Sequence, residues 1–160
     1  MKKGVIIFFI VSMVFIISSC SFLIKTPVPP GSYTLKSAVL ILDGRFILKE
    51  FGNTNAFADI VLGEGEYAFF QNFDGMMYVF KYDDIVQTKK YWKKFSSKVG
   101  NILKINYYTI NLFDRGYLRT RFQKTNLVAW WKDKWLFIVS GENPNELVNY
   151  IESVYRMVNE

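Results

Sequence analysis

Histidine is absent from the 160 residues, and Cys20 is the only cysteine. Without histidine, no imidazole can serve as general base, proton shuttle or metal ligand near neutral pH. A lone thiol cannot close an internal disulfide and is too little for a structural zinc site. Proline is scarce: three of the four lie at Pro27, Pro29 and Pro30, and the fourth is Pro144. No proline interrupts the chain between Pro30 and Pro144. Acidic residues number 14 against 20 basic ones, for a net charge of +6. That surplus is too small for a nucleic-acid footprint, and no nucleic-acid partner is expected. It could still favour anionic lipid or an anionic polymer.

The N-terminus has a different character. Lys2 and Lys3 open it, an apolar run of 13 residues follows from Val5 to Ile17, and Ser18-Ser19 closes it. A basic start, a short apolar stretch and small closing residues form the pattern of an export signal. The run is shorter than the roughly 20 residues that span a bilayer, although residues to Ile24 would lengthen it towards that. Ile17-Ser18-Ser19-Cys20 resembles the lipobox of bacterial lipoprotein precursors. That resemblance implies diacylglycerol on the Cys20 thiol, cleavage before Cys20 and acylation of the new amine, and it accounts for the only cysteine. The alternative is an uncleaved signal anchor. In both cases Lys2 and Lys3 hold the start inside and place later residues outside the cytoplasm. The expected parts are a signal over 1–19, a lipidated tether over 20–32 and one domain over 33–160. Without Lys2 and Lys3 the charge falls from +6 to +4.

The tether reading rests on Phe22-Leu23-Ile24, which can enter the membrane interface, and on the prolines and Gly31, which forbid regular structure. Beyond it, Leu35 to Leu42 is rich in strand formers. Asp43-Gly44 and Phe46-Ile47-Leu48 would then complete a hairpin. Gly52 to Glu66 is ambiguous, with Ala56 to Leu62 readable as strand or helical turn. Tyr67–Phe73 and Met76–Tyr82 flank Asp74-Gly75 as a second hairpin. Asp83-Asp84 caps a helix over 85–99, marked by Ile85, Thr88, Trp92, Phe95 and Val99 and stopped by Gly100. Its lysines read as a solvated face or an anionic-surface contact. Four strands are expected over 105–113, 117–124, 127–131 and 135–140. Asn143 and Glu146 form a capping box around Pro144, and Leu147, Ile151, Val154 and Val158 stripe the last helix. Short turns between successive strands predict an α+β fold, a mostly antiparallel sheet with two amphipathic helices packed on it.

The block from Met76 to Val158 resembles a small uncharacterised family of bacterial exported proteins built on the PsbP-like fold. The residues that carry the likeness are Met77-Tyr78-Val79-Phe80, the Asp83-Asp84 turn, Tyr91-Trp92, and the hairpin from Trp130 to Val139. The resemblance implies an antiparallel sandwich and brings no catalytic residues.

Carboxylates are the remaining acid–base equipment. Glu64, Glu66 and Asp74 could serve a glycosidase if held at the right separation, or they could be loop residues. The Asp-rich calcium loop is missing. Ser96-Ser97-Lys98 is not the acyl-enzyme arrangement, and Gly63-Glu64-Gly65 is not a phosphate loop. Arg119 and Arg121 share a strand face with Tyr117 and Gln123, as an anion-binding strip or as the charged guard of an edge strand. Trp130, Trp131 and Trp135 lie in strands apolar on both faces, which must be covered on both faces. Two helices suffice for one face. The other calls for the first hairpin, a loop, a ligand or a partner. The expected function is a non-enzymatic, lipid-anchored envelope domain that binds another envelope protein, anionic lipid or polymer, with no cofactor. Trp130, Trp131, Trp135, Arg119 and Arg121 are its candidate surface. A carboxylate-dependent hydrolase of envelope polysaccharide and a structural subunit of a membrane assembly are the alternatives.

Overall fold

A computed structural model describes residues 25–100 and 107–160. Among the described residues, seven strands form one sheet: β1 (Leu48–Phe57), β2 (Ile60–Phe70), β3 (Gly75–Lys81), β4 (Tyr108–Asn111), β5 (Arg115–Phe122), β6 (Thr125–Lys132) and β7 (Trp135–Gly141). Their order is β1-β2-β3-β7-β6-β5-β4, and every neighbouring pair is antiparallel. Two meanders, β1–β3 and β4–β7, thus join at the centre through β3 and β7. Helix α1 (Leu35–Leu40) precedes the sheet, α2 (Ile85–Val99) links the meanders and α3 (Pro144–Asn159) closes the chain. The expected α+β class with an antiparallel sheet is the observed one.

The helices divide between the two faces. On one, α1 and α3 pack over Ala68, Met77, Val79, Val128, Trp130 and Phe137. On the other, α2 places Trp92, Phe95 and Val99 against Leu62, Phe80, Leu118, Trp131 and Ile138. The alternation along β6 and β7 feeds both cores, so residues 127–131 and 135–139 are all buried. The second cover needed by this apolar sheet is therefore one of its own helices.

Local chemistry explains most of the elements. Asp84 accepts a hydrogen bond from the Gln87 amide at 2.8 Å, and Thr88, Trp92, Phe95 and Val99 are the buried stripe of α2. Pro144 opens α3 as expected, but Asn143 makes no side-chain cap. The Glu146 amide donates instead to the Asn143 carbonyl at 3.1 Å. The β5–β6 turn holds Gln123 and Lys124 at φ 47° and 70°, the left-handed pair that a two-residue hairpin requires.

Two expectations need correction, and one stretch left open takes its strand form. Leu35 to Leu42 is not a strand of a first hairpin: 35–40 is helical. Thr34 Oγ1 accepts from the Ser37 amide, and Ser37 Oγ accepts from the Thr34 amide. Ala38, Val39 and Leu42 then turn inward together, a spacing that a short apolar run cannot distinguish from alternation. The ambiguous 52–66 stretch belongs to the long hairpin β1–β2. Register shifts at Leu48/Glu50 and Thr54/Ala56, with Gly63 at φ +90°, break its period-two pattern. Finally, β5 is not an edge strand, because β4 pairs outside it.

Candidate functional site

Residues 25–33 do not behave as a free tether. They run as an irregular strap along the end of the α1/α3 face, and the domain holds them at successive points. Lys25 forms an ion pair with Glu152 at 2.6 Å and donates to Asn149 Oδ1 at 3.0 Å, both on α3. The buried Trp130 donates its indole N–H to the Pro27 carbonyl at 2.6 Å. Asn159 donates to the Val28 carbonyl at 3.0 Å. Lys81, at the end of β3, donates to the Gly31 and Tyr33 carbonyls and sits 4.8 Å from the Trp135 ring centre. Burial, and after it the nearby Lys134, pushes the Lys81 ammonium below the usual lysine range. A strap without backbone ladders leaves its carbonyls free, and these three side chains use them. The expected tether over 20–32 is thus corrected from Lys25 onward. Cys20 and Phe22-Leu23-Ile24 lie outside the described residues.

Beside the first strap residue, the start of α3 and the β4–β5 edge line a common groove. Lys25, Asn145, Val148 and Asn149 form one wall of a groove of about 460 Å³; Tyr108, Tyr117 and Arg119 form the other. Tyr108 is half exposed and meets Tyr117 edge-on at 6.2 Å between ring centres. Burial raises the Tyr117 phenol above its ordinary value, with the Arg119 charge opposing that shift. Arg119 is exposed and forms no ion pair or hydrogen bond among the described residues. Tyr117, Arg119 and Arg121 share the α3 side of β5, across from Trp130, Val128 and Asn126. Arg121 lies further along, where its Nε donates to the Lys124 carbonyl at 3.1 Å. The structure therefore puts Arg119, and not Arg121, beside the strap.

The tryptophans offer no surface. Trp130, Trp131 and Trp135 are 0%, 2% and 1% exposed. Trp130 stacks on Phe137 at 5.0 Å and 3° in the α3 core, and Trp135 joins the same core. Trp131 points into the α2 core, where its indole N–H finds no partner among the described residues. Their place in the candidate surface is corrected, because aromatics buried on both faces of a central strand are core.

The carboxylates do not converge. Glu64 is exposed, Glu66 is buried facing α1, and Asp74 sits in the β2–β3 turn. From Glu66 the rest of β2 runs roughly 13 Å at about 3.3 Å per residue, and Asp74 lies beyond its end, in the turn that follows Phe70. The dyad needed for glycoside hydrolysis spans under about 10 Å. Gly63 lies against Tyr82 and Tyr91, so Gly63-Glu64-Gly65 is packed and not an open cradle. Among the described residues, no three metal-ligating side chains gather, and no helix is long and apolar enough to cross a membrane.

Sequence reasoning found Arg119 and Tyr117 but missed Lys25, Tyr108 and Lys81. The path of the strap brings in Lys25 and Lys81, and the β4–β5 pairing brings in Tyr108. The one available signal was Lys81 closing the apolar β3 run.

A family described as a protein of unknown function (DUF3242) matches residues 30–158. Among curated proteins, no match was found. Among solved structures, the crystal structure of a GTP binding regulator from Thermotoga maritima is similar. It is 28% identical with a TM-score of 0.70, covering 81% of this chain and 92% of that one.

Proposed function

We propose that this chain, which belongs to the family described as a protein of unknown function (DUF3242), is a lipid-anchored, non-enzymatic binding module of the bacterial cell envelope. The observation that carries the reading is the strap. Four residues, 21 to 24, and so five chain steps, separate the lipobox cysteine from Lys25, and Lys25 is already ion-paired to α3. At most about 3.5 Å per residue, they reach about 17 Å. A domain bound so closely to its anchor acts at the membrane surface. The dispersal of Glu64, Glu66 and Asp74 supports binding over hydrolysis. The name of the similar structure, a GTP binding regulator, accords with a regulatory role. Its nucleotide is not carried over, because Gly63-Glu64-Gly65 is packed against tyrosines.

The test is the mass of the mature N-terminal peptide. It should begin at Cys20 and carry acyl chains, and Cys20→Ala should leave the precursor uncut. Recovery of wild-type protein with Lys2 and Lys3 attached would overturn the lipid anchor. In-cell cross-linking with mass spectrometry of the adducts then identifies the bound partner.

A further inference from the structure

We propose that the groove between α3 and the β4–β5 edge is the membrane-apposed face of the domain and seats the phosphate headgroups of anionic phospholipid. The proposal rests on the anchored reading above and adds to it an orientation and a ligand chemistry.

Three observations point to this face. The first is where the undescribed N-terminal chain meets the fold: Lys25 is itself a wall of the groove. A lipid on Cys20, about 17 Å away at most, brings the bilayer to this side. The opposite edge strand, β1, lies five strand steps from β5, roughly 24 Å at about 4.8 Å per step.

The second is charge. The groove and the adjoining strap cleft are lined by Lys25, Arg115, Arg119, Lys132 and Arg156 against Asp133 and Glu152. Glu152 is occupied by Lys25, and Arg115 is held by Asp114 at 2.7 Å. Arg119 forms no ion pair or hydrogen bond among the described residues. Its planar fork suits a phosphate.

The third is the aromatic edge. Tyr108 is 51% exposed on the outermost strand, with Tyr117 against it. Tyrosines with an apolar body and a polar tip favour the headgroup level of a bilayer. A soluble anionic polymer would be recognised through the same charges but would not require an aromatic edge at the point of anchorage.

The full chain offers a clean test, because Cys20 is its only thiol. Tyr108→Cys and the exposed edge control Asn53→Cys would each be labelled with a nitroxide. The labelled chains would be placed in vesicles of phosphatidylethanolamine and phosphatidylglycerol. Spin-relaxation by oxygen, which concentrates in the bilayer, is compared with relaxation by a water-soluble nickel chelate. The oxygen-to-nickel ratio should be at least threefold higher at position 108 than at 53. It should fall towards the control when Arg119→Glu is added or when phosphatidylcholine replaces the anionic lipid. Equal ratios at the two positions, or a higher one at 53, would overturn the proposal. A ratio insensitive to Arg119→Glu and to lipid charge would overturn the headgroup assignment. Failure of the underlying reading is seen separately: unsubstituted chain that takes up the thiol label has a free Cys20, and the anchor and the orientation then fall together.

Discussion

The adjacent tryptophans of β6 allow the two-sided core to be tested one face at a time. Trp130 and Trp131 are consecutive, so the pleat sends them to opposite faces, Trp130 beneath α3 and Trp131 beneath α2. Truncation of either to alanine removes a fully buried ring and should cost about 3–5 kcal/mol. Replacement by phenylalanine separates them. Trp130→Phe loses part of a ring, about 1 kcal/mol, and also the hydrogen bond to the Pro27 carbonyl, about another 1 kcal/mol. The expected loss is about 2 kcal/mol. Trp131→Phe loses the same ring area but removes an N–H that has no partner among the described residues. Leaving such a donor buried costs about 1–3 kcal/mol, so the substitution should be close to neutral or slightly stabilising.

Urea unfolding of the chain from Lys25 onward, followed by far-ultraviolet circular dichroism, gives both differences directly. In thermal melts each 1 kcal/mol should appear as about 3–5 °C for a domain of this size. The reasoning fails if either alanine variant loses under about 1 kcal/mol, since that residue would then be surface. It also fails if Trp131→Phe costs as much as Trp130→Phe, since the Trp131 indole would then be hydrogen-bonded.

How much of this was legible depends on how far each element relies on its own residues. The helix α2 carries its evidence locally: a stripe at three- and four-residue steps, Asp84 before it and Gly100 after it. The β2–β3 and β6–β7 hairpins were equally clear, because Asp74-Gly75 and Asp133-Lys134 interrupt apolar runs. Helix α1 was not legible. The six residues hold good helix formers in Leu35, Lys36, Ala38 and Leu40, and the Thr34–Ser37 exchange starts the turn, but the apolar run from Ala38 to Leu42 is too short for its period to separate helix from strand. The buried tryptophans came to be expected at a surface because α2 and α3 were both assigned to one face, whereas they cover opposite faces.

The site was legible only in half. The alternation of β5 grouped Tyr117 with Arg119 and Arg121, and the structure keeps that grouping. It could not say that β4 would pair outside, or that one arginine and not the other would share a groove with α3. The strap failed for a physical reason. A proline-rich segment makes few bonds within itself, which reads as a linker, yet that property leaves its carbonyls open to Trp130, Asn159 and Lys81.

Two further predictions follow from the same contacts. A chain beginning at Tyr33 should be about 2–4 kcal/mol less stable than one beginning at Lys25, because it strands the buried Trp130 N–H and removes one Lys81 acceptor. Coincident urea curves for the two chains would show the strap to be dispensable. The last concerns Glu66, 7% exposed with Oε2 unpartnered among the described residues. Burial raises its pKa above the ordinary glutamate value of 4.5, with Lys36 opposing the shift. A carboxyl whose folded pKa exceeds its unfolded one favours the fold while protonated. Its contribution is complete below the unfolded pKa and is lost as pH rises from there through the folded value. Glu66→Gln keeps the shape and abolishes the titration. Relative to the variant, the wild type should therefore lose stability as pH climbs from about 4, and the gap should level off once Glu66 is ionised in both states. Urea midpoints measured across that range test it, and a wild type that gains on Glu66→Gln with rising pH would mean Lys36 outweighs burial at this carboxylate.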